Sequence, residues 1–138
     1  MTNRPLIRVS DVMRREPSMI DGMATAEEAL ALMSQRNISS LVVARRDADD
    51  EFGLVLIADI AREIIGRGRP LARTNVYEIM TKPAPMVDAQ MNIKYAIRHM
   101  TSCRYTHCIV LRGRDLAGVV TMRDMAVRYI QSTETRGA

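Results

Sequence analysis

Apolar positions recur in the same order and with the same spacing in the two halves of the chain. Residues 9–43 align with residues 76–110, and residues 53–65 align with residues 118–130. Seven of the first 35 aligned positions and five of the next 13 are identical. The one length change is two extra residues in the first copy's polar loop, ARRDADDEF. An internal repeat of this kind predicts that both halves share one architecture.

Each copy contains an amphipathic helix with a recognisable beginning. In the first copy Thr25 and Glu28 have the spacing of a capping box, and in the second copy Asn92 is the expected cap. The apolar stripes follow the i, i+3, i+4, i+7 spacing of a helix: Ala26, Ala29, Leu30 and Met33 in the first copy, and Ile93, Ala96, Ile97 and Met100 in the second.

Short β-branched segments surround these helices and predict strands. The expected strands are Ser18–Ile20, Leu41–Ala44 and Phe52–Ile57 in the first copy, and Pro85–Val87, Cys108–Leu111 and Leu116–Thr121 in the second. A last helix is expected near Asp59–Ile65 and near Asp124–Ile130. Each copy is therefore predicted as β-α-β-β-α, which makes the fold class α+β. A unit this small cannot bury both faces of its sheet, so we expect the copies to pack sheet to sheet as one pseudo-twofold module.

The repeat also predicts the domain boundaries. We expect repeat 1 at residues 9–66, a linker at 67–75, repeat 2 at 76–131 and a disordered tail at 132–138.

Composition narrows the class of protein. Hydrophobic residues make up 47% and charged residues 26%, as in globular proteins, and 11 Met with 4% aromatics predict an aliphatic, Met-filled core. The net charge is +4, but the basic residues are scattered and few aromatics could stack on bases, so nucleic acid is not a favoured partner. The sequence predicts neither a membrane span nor a signal peptide, and we expect a cytoplasmic protein with two free thiols.

The motifs in both halves resemble the CBS domain, named after cystathionine β-synthase. The first copy has VSDVM, a helix containing ALALM, ISSLVV and GLVLIAD; the second has VYEIM, PMVD, IKYAIRHM, YTHCIV and GVVTMRD. The most specific element is Gly, two apolar residues, Thr or Ser, two residues and Asp. The second copy satisfies it, whereas Leu56 occupies the Thr position in the first. The resemblance covers about residues 9–130.

The resemblance implies a regulatory module rather than an enzyme. Such tandem pairs commonly form flat homodimers and bind adenosine-containing ligands in clefts between the repeats. AMP, ADP, ATP, NAD(H) and S-adenosylmethionine are all used in the family, and we expect AMP or ATP first, with no metal required. Ligand binding would change the dimer geometry, and an effector protein that the sequence does not identify would respond. A dimeric scaffold without a ligand is the alternative.

Asp124 is the centre of the expected ligand site. A carboxylate can accept hydrogen bonds from both hydroxyls of a ribose, and the Thr121 hydroxyl could bind ribose or phosphate. The resemblance places the adenine against Val119 and against the first strand of the repeat, and it makes Thr106 the position where many relatives have a basic residue. Asp59 is the counterpart in the first copy, where Leu56 makes a competent site doubtful. The candidate ligand-binding residues are Asp124, Thr121, Val119, Gly118, Arg123, Ala84, Pro85, Met86, Val87, Thr106, His107 and Asp59.

A metal site and an enzyme are the other classes of function to which the residues can be compared. His99, Cys103, His107 and Cys108 lie within ten residues, which leaves a metal site as a remote alternative. An enzyme is not predicted, because there is no GxSxG or HExxH motif and GRGRPL follows a helix rather than a strand.

Overall fold

The structure, a computed structural model, describes residues 6–137, with side chains described as far as Thr133. Its strands are β1 (Arg14–Arg15), β2 (Met19–Ile20), β3 (Ser40–Val43), β4 (Gly53–Leu56), β5 (Met86–Asp88), β6 (His107–Arg112) and β7 (Asp115–Thr121). Its α-helices are α1 (Val9–Val12), α2 (Ala26–Arg36), α3 (Ile57–Ile60), α4 (Ile93–Cys103) and α5 (Met122–Gly137). Helix α3 continues as a π-helical turn over Ala61–Ile65. Across residues 6–137, no helix is long and apolar enough to cross a membrane.

The chain divides into two compact units. The continuous unit is Pro17–Ala84. The interrupted unit combines the described residues up to Glu16 with those from Pro85 onward. The predicted fold class is confirmed, because each unit combines helices with a sheet of its own.

The continuous unit has a three-stranded sheet in the order β2-β3-β4, with β2 parallel and β4 antiparallel to β3. The predicted capping box begins α2: the Glu28 N–H donates to Thr25 Oγ1 at 3.1 Å, and the Thr25 N–H donates back to Glu28 Oε2 at 3.1 Å. The cap fixes where the helix starts, and the stripe residues Ala26, Ala29 and Met33 are buried in the core of the unit. The core residues include Ala29, Met33, Leu41, Val55, Ile60 and Ile64.

The interrupted unit has a four-stranded sheet in the order β1-β7-β6-β5. Asn92 caps α4 as predicted, because its Oδ1 accepts the Lys94 N–H at 2.9 Å. One face of the sheet packs against the helices, and the core there includes Val87, Ala96, Met100, Cys108, Val110, Val120 and Met125. The Met-filled core that the composition predicts is therefore present, since Met33, Met100 and Met125 are fully buried.

The opening segment of each repeat packs in the unit that holds the strands of the other repeat. In the interrupted unit, the Val9 and Ser10 N–H groups donate to the carbonyls of Met91 and Ala89 at 2.8 and 2.9 Å. In the continuous unit, the Val76 N–H donates to the Ala24 carbonyl at 2.8 Å. The compact units therefore differ in membership from the repeats along the sequence.

The last helix is longer than the sequence predicted. Helix α5 spans Met122–Gly137, whereas a helix to Ile130 and a disordered tail from residue 132 were expected. No Gly or Pro interrupts residues 122–136, so nothing in the backbone chemistry ends the helix earlier. Thr133 also donates its hydroxyl to the Tyr129 carbonyl at 2.9 Å. Residue 138 lies outside the described residues.

Candidate functional site

Thr121 connects the last strand of the interrupted unit to its last helix. It ends β7, and its Oγ1 accepts the Asp124 N–H at 3.0 Å. Thr121 is therefore the N-cap of α5, and Asp124 is the third residue of the helix rather than its first. The hydroxyl proton of Thr121 stays available to donate to a ligand, because the cap uses only the oxygen.

The carboxylate of Asp124 has little to bind within its own unit. Its partner among the described residues is Arg14, whose Nε lies 3.8 Å from Asp124 Oδ2. A charge-assisted hydrogen bond is about 2.7–2.9 Å long, so this ion pair is loose. The Asp124 side chain is 26% exposed. Its oxygens are thus both reachable and largely unoccupied.

Asp59, the counterpart in the continuous unit, is bound on both oxygens. Its Oδ2 accepts the Leu56 N–H at 2.9 Å, and its Oδ1 accepts from Arg62 Nη2 at 2.9 Å. At the cap position Leu56 has no hydroxyl, whereas Thr121 Oγ1 accepts the Asp124 N–H. Asp59 supplies the other half of a capping box, because its carboxylate accepts the N–H of the residue three positions earlier.

The predicted apolar wall lies on the sheet face opposite the core. Arg14 pairs with Val119, Val119 with Ile109 and Ile109 with Met86, so these four residues form one row across β1, β7, β6 and β5. Their strand neighbours Val87, Cys108 and Val120 belong to the core of the unit. Because successive side chains alternate between faces, the row points away from that core.

Two further predicted residues lie at the same end of the sheet as Thr121. His107 pairs with Thr121 across β6 and β7, and its Nδ1 is 2.9 Å from Thr106 Oγ1. The Thr106 carbonyl accepts the Met122 N–H at 3.0 Å, which anchors the start of α5 to this edge. The structure therefore brings Thr106, His107, Thr121 and Asp124 together.

The remaining predicted site residues lie outside this group. Ala84 belongs to the continuous unit, where its N–H donates to the Phe52 carbonyl at 2.8 Å. Val87 is 4% exposed and lies in the core of the interrupted unit. Pro85 is also buried, and its carbonyl accepts the Ile109 N–H at 2.8 Å. Arg123 is exposed on the first turn of α5.

Gly118, one of the candidate ligand-binding residues, packs against the backbone of a neighbouring strand. It lies inside β7, directly beside β1. A Cβ atom at this position would be 2.5 Å from the Arg14 carbonyl oxygen and 3.0 Å from Met13 Sδ. Glycine is required here because β1, which is paired antiparallel with β7, lies too close for any side chain. The same pairing brings Arg14 next to Asp124.

Sequence reasoning missed Arg14 itself. Its strand has only two residues, both Arg, and so shows none of the alternation that marks a strand. The signal available was the repeat: Arg14 directly follows VSDVM, as Thr81 follows VYEIM, and Thr81 bridges β4 in the continuous unit.

The four residues of the metal alternative are not gathered into a site. Cys103 is exposed on α4, whereas Cys108 is fully buried on the core face of β6. Burial raises the pKa of the Cys108 thiol to about 12, and its side chain packs in the core of the interrupted unit. Within residues 6–137, no group of three or more His, Cys, Asp and Glu side chains is arranged to hold an ion.

The chain is similar to known proteins both in its sequence and in its fold. The family model for the CBS domain matches residues 9–66 and again residues 76–130. A hexameric CBS-CP12 protein from bloom-forming cyanobacteria is 27% identical with a TM-score of 0.86, over 89% of this chain and 71% of that one. A protein with CBS domains from Burkholderia ambifaria MC40-6 is 27% identical with a TM-score of 0.79, over 89% and 91%.

A third solved structure shares the fold at lower identity. It is a CBS domain protein from Pyrobaculum aerophilum complexed with AMP, 20% identical with a TM-score of 0.76, over 91% of this chain and 99% of that one. None of the curated protein sequences compared with the chain matches it. Because the family model matches both halves over most of their length, and the solved relatives share the architecture, the chain belongs to the CBS-domain family as a tandem pair of CBS domains.

Proposed function

We propose that this tandem CBS module is a non-catalytic sensor that binds one adenosine-containing ligand at the Asp124 end of the interrupted unit. The ribose hydroxyls donate to the Asp124 carboxylate, and the Thr121 hydroxyl donates to a ribose or phosphate oxygen. The adenine lies along the row that contains Val119 and Met86. AMP and ATP are the first candidates, followed by ADP, NAD(H) and S-adenosylmethionine.

The unequal state of the two homologous aspartates supports this proposal most strongly. Asp59 already accepts two hydrogen bonds at 2.9 Å, so a ribose would have to displace both of them. Asp124 has only the loose contact with Arg14 at 3.8 Å. Hydrogen bonds to a charged group contribute about 1.5–3 kcal/mol each, so the cost of displacing two of them at Asp59 is large enough to favour ligand binding at Asp124.

Phosphate recognition is proposed for Arg14 and the start of α5. The Arg14 side chain is 66% exposed, which lets its guanidinium turn from Asp124 to a phosphate. The Met122 and Asp124 N–H groups are already bonded, to Thr106 and Thr121. The Arg123 N–H has no partner among the described hydrogen bonds, and a helix N-terminus favours an anion there.

The solved relatives support the ligand class and the assembly only by analogy. The P. aerophilum protein was complexed with AMP, and the cyanobacterial protein is hexameric. We propose that this chain forms a homodimer, that the ligand alters the dimer geometry, and that an effector protein responds. Such signalling requires the ligand to bind the two geometries with different affinities. A cytoplasmic location suits the two free thiols.

A thermal-shift panel with AMP, ADP, ATP, NAD(H) and S-adenosylmethionine tests the proposal. At least one ligand should raise the Tm of the wild-type protein, Asp124→Ala should abolish that rise, and Asp59→Ala should leave it intact. Asp59→Ala is a matched control because it removes the same group at the homologous position. If none of the ligands shifts the wild-type Tm, the proposal fails and the ligand-free scaffold is favoured.

A further inference from the structure

A groove on the outer side of α4 remains open to solvent in the interrupted unit. The groove, here called the α4 groove, has a volume of about 480 Å³. Its apolar wall includes Leu6, Tyr95 and Tyr129, which are 65%, 56% and 41% exposed. Large apolar side chains grouped in this way commonly mark a surface that another molecule covers.

Cations surround the most exposed ring of the α4 groove. Lys94 Nζ lies 6.0 Å and Arg98 Cζ 5.7 Å from the centre of the Tyr95 ring. Neither cation forms an ion pair among the described residues. Helix α4 has no carboxylate anywhere along Ile93–Cys103, so nothing on the helix offsets this charge.

The homologous helix of the first repeat has the opposite charge. The first turn of α2 contains Glu27 and Glu28, and Glu27 occupies the position of Lys94 in the repeat. Glu27 is exposed and has no partner among the described contacts. The one cation of α2, Arg36, lies at the other end, where its Nη1 donates to Ser18 Oγ at 2.9 Å.

An apolar side chain also stands beside that acidic turn. Met23 is 70% exposed and lies two residues before the Thr25 cap of α2. A methionine is long and flexible enough to fill an irregular apolar groove. The beginning of α2 therefore presents one apolar side chain next to Glu27, which is unpaired among the described residues, while Glu28 is held in the capping box with Thr25. This arrangement is complementary to the apolar wall and the cations of the α4 groove.

We infer that the α4 groove of one copy binds the beginning of α2 from a second copy, with Met23 entering the groove and Glu27 facing Lys94 and Arg98. The inference rests on the homodimer of the proposed function and selects which faces meet. Contact between two α4 grooves would place four cations together without a carboxylate. The pairing of unlike faces joins opposite charges instead, and complementarity of this kind selects the register and partner of an interface.

Charge reversal distinguishes the two arrangements. Sedimentation equilibrium should show that Lys94→Glu and Glu27→Lys each raise the dissociation constant of the homodimer at least tenfold. The double variant Lys94→Glu/Glu27→Lys should associate more tightly than either single variant, because positions 94 and 27 again have opposite charges, while the unchanged Arg98 prevents full recovery. If α4 contacted α4, Lys94→Glu would place two carboxylates beside the two remaining Arg98 side chains and strengthen association, and Glu27→Lys, which lies outside that contact, would leave the affinity unchanged.

Two controls separate this outcome from unrelated effects. Arg112→Glu makes the same charge change on an exposed strand residue and should leave the dissociation constant unchanged. Met23→Ser should weaken association at least tenfold with no change of charge. A wild-type protein that associates while both single reversals leave it unaffected overturns the inference but not the homodimer. A wild-type monomer at all concentrations overturns both, and ligand binding at Asp124 is judged separately by the thermal-shift panel.

Discussion

Replacing Gly118 by alanine tests the close approach of the paired strands β1 and β7, which supports the candidate site. The new Cβ would lie 2.5 Å from the Arg14 carbonyl oxygen, about 1 Å inside an ordinary van der Waals contact of about 3.5 Å. Strand β1 must therefore move, and overpacking of this kind costs about 1–3 kcal/mol. The lower entropy of the unfolded alanine variant offsets about 0.4–1 kcal/mol. We expect a net loss of about 1–2 kcal/mol, or about 3–6 °C in Tm for a chain of this size.

Gly22→Ala is the matched control. A Cβ at that position meets Tyr77 Cβ and Val43 Cγ1 at 3.6 Å, which is an ordinary contact, so stability should stay equal or rise slightly. Urea denaturation followed by circular dichroism measures both variants. Because Arg14 moves with β1, Gly118→Ala should also weaken ligand binding. Equal stability of Gly118→Ala and wild type would refute the close approach of β1 and β7. An equal loss of stability in Gly118→Ala and Gly22→Ala would refute it as well.

Two further predictions concern individual side chains. Asp59→Ala should lower the free energy of unfolding by about 1–2 kcal/mol, because it removes the acceptor of the hydrogen bonds from Leu56 and Arg62, whereas Asp124→Ala should cost less than about 1 kcal/mol. Equal losses in urea denaturation would contradict the contrast between the two aspartates. The raised pKa of Cys108, about 12 in the folded protein, predicts alkaline destabilisation. The contribution of the protonated thiol is complete below the unfolded pKa of about 8.5 and is lost as the pH rises toward 12, amounting to at most about 2 kcal/mol by pH 10. Cys108→Val should remove that part of the pH dependence, and an unchanged profile between pH 8 and pH 10 would argue against it.

The local chemistry of the sequence predicted much of the fold. Capping residues predicted where α2 and α4 begin, and the apolar spacing predicted the residues that they bury, because both signals depend only on neighbours along the chain. The membership of the compact units was not predictable in this way. It depends on where VSDVM and VYEIM dock, and those contacts join residues about 50 to 80 positions apart.

The candidate site was predictable in part. The absence of a hydroxyl at Leu56 distinguished the Asp59 site in the sequence, and in the structure the Asp59 carboxylate accepts hydrogen bonds from the Leu56 N–H and from Arg62. Which of the two aspartates binds a ligand stays a prediction. Arg14 could not be found, since a two-residue strand has no pattern of its own. Val87 was assigned to the ligand wall because the resemblance assigns the whole first strand of the repeat to it, whereas the side chains of a strand alternate between its two faces and Val87 lies on the core side.

Calorimetric titration of the wild-type protein, Asp124→Ala and Asp59→Ala with AMP tests the central claim most directly, with ATP titrated in the same way. The account predicts one ligand per chain for the wild type and for Asp59→Ala, with affinities within about twofold of each other, and no measurable binding to Asp124→Ala. Two ligands per chain, or loss of binding in Asp59→Ala with retention in Asp124→Ala, would contradict it.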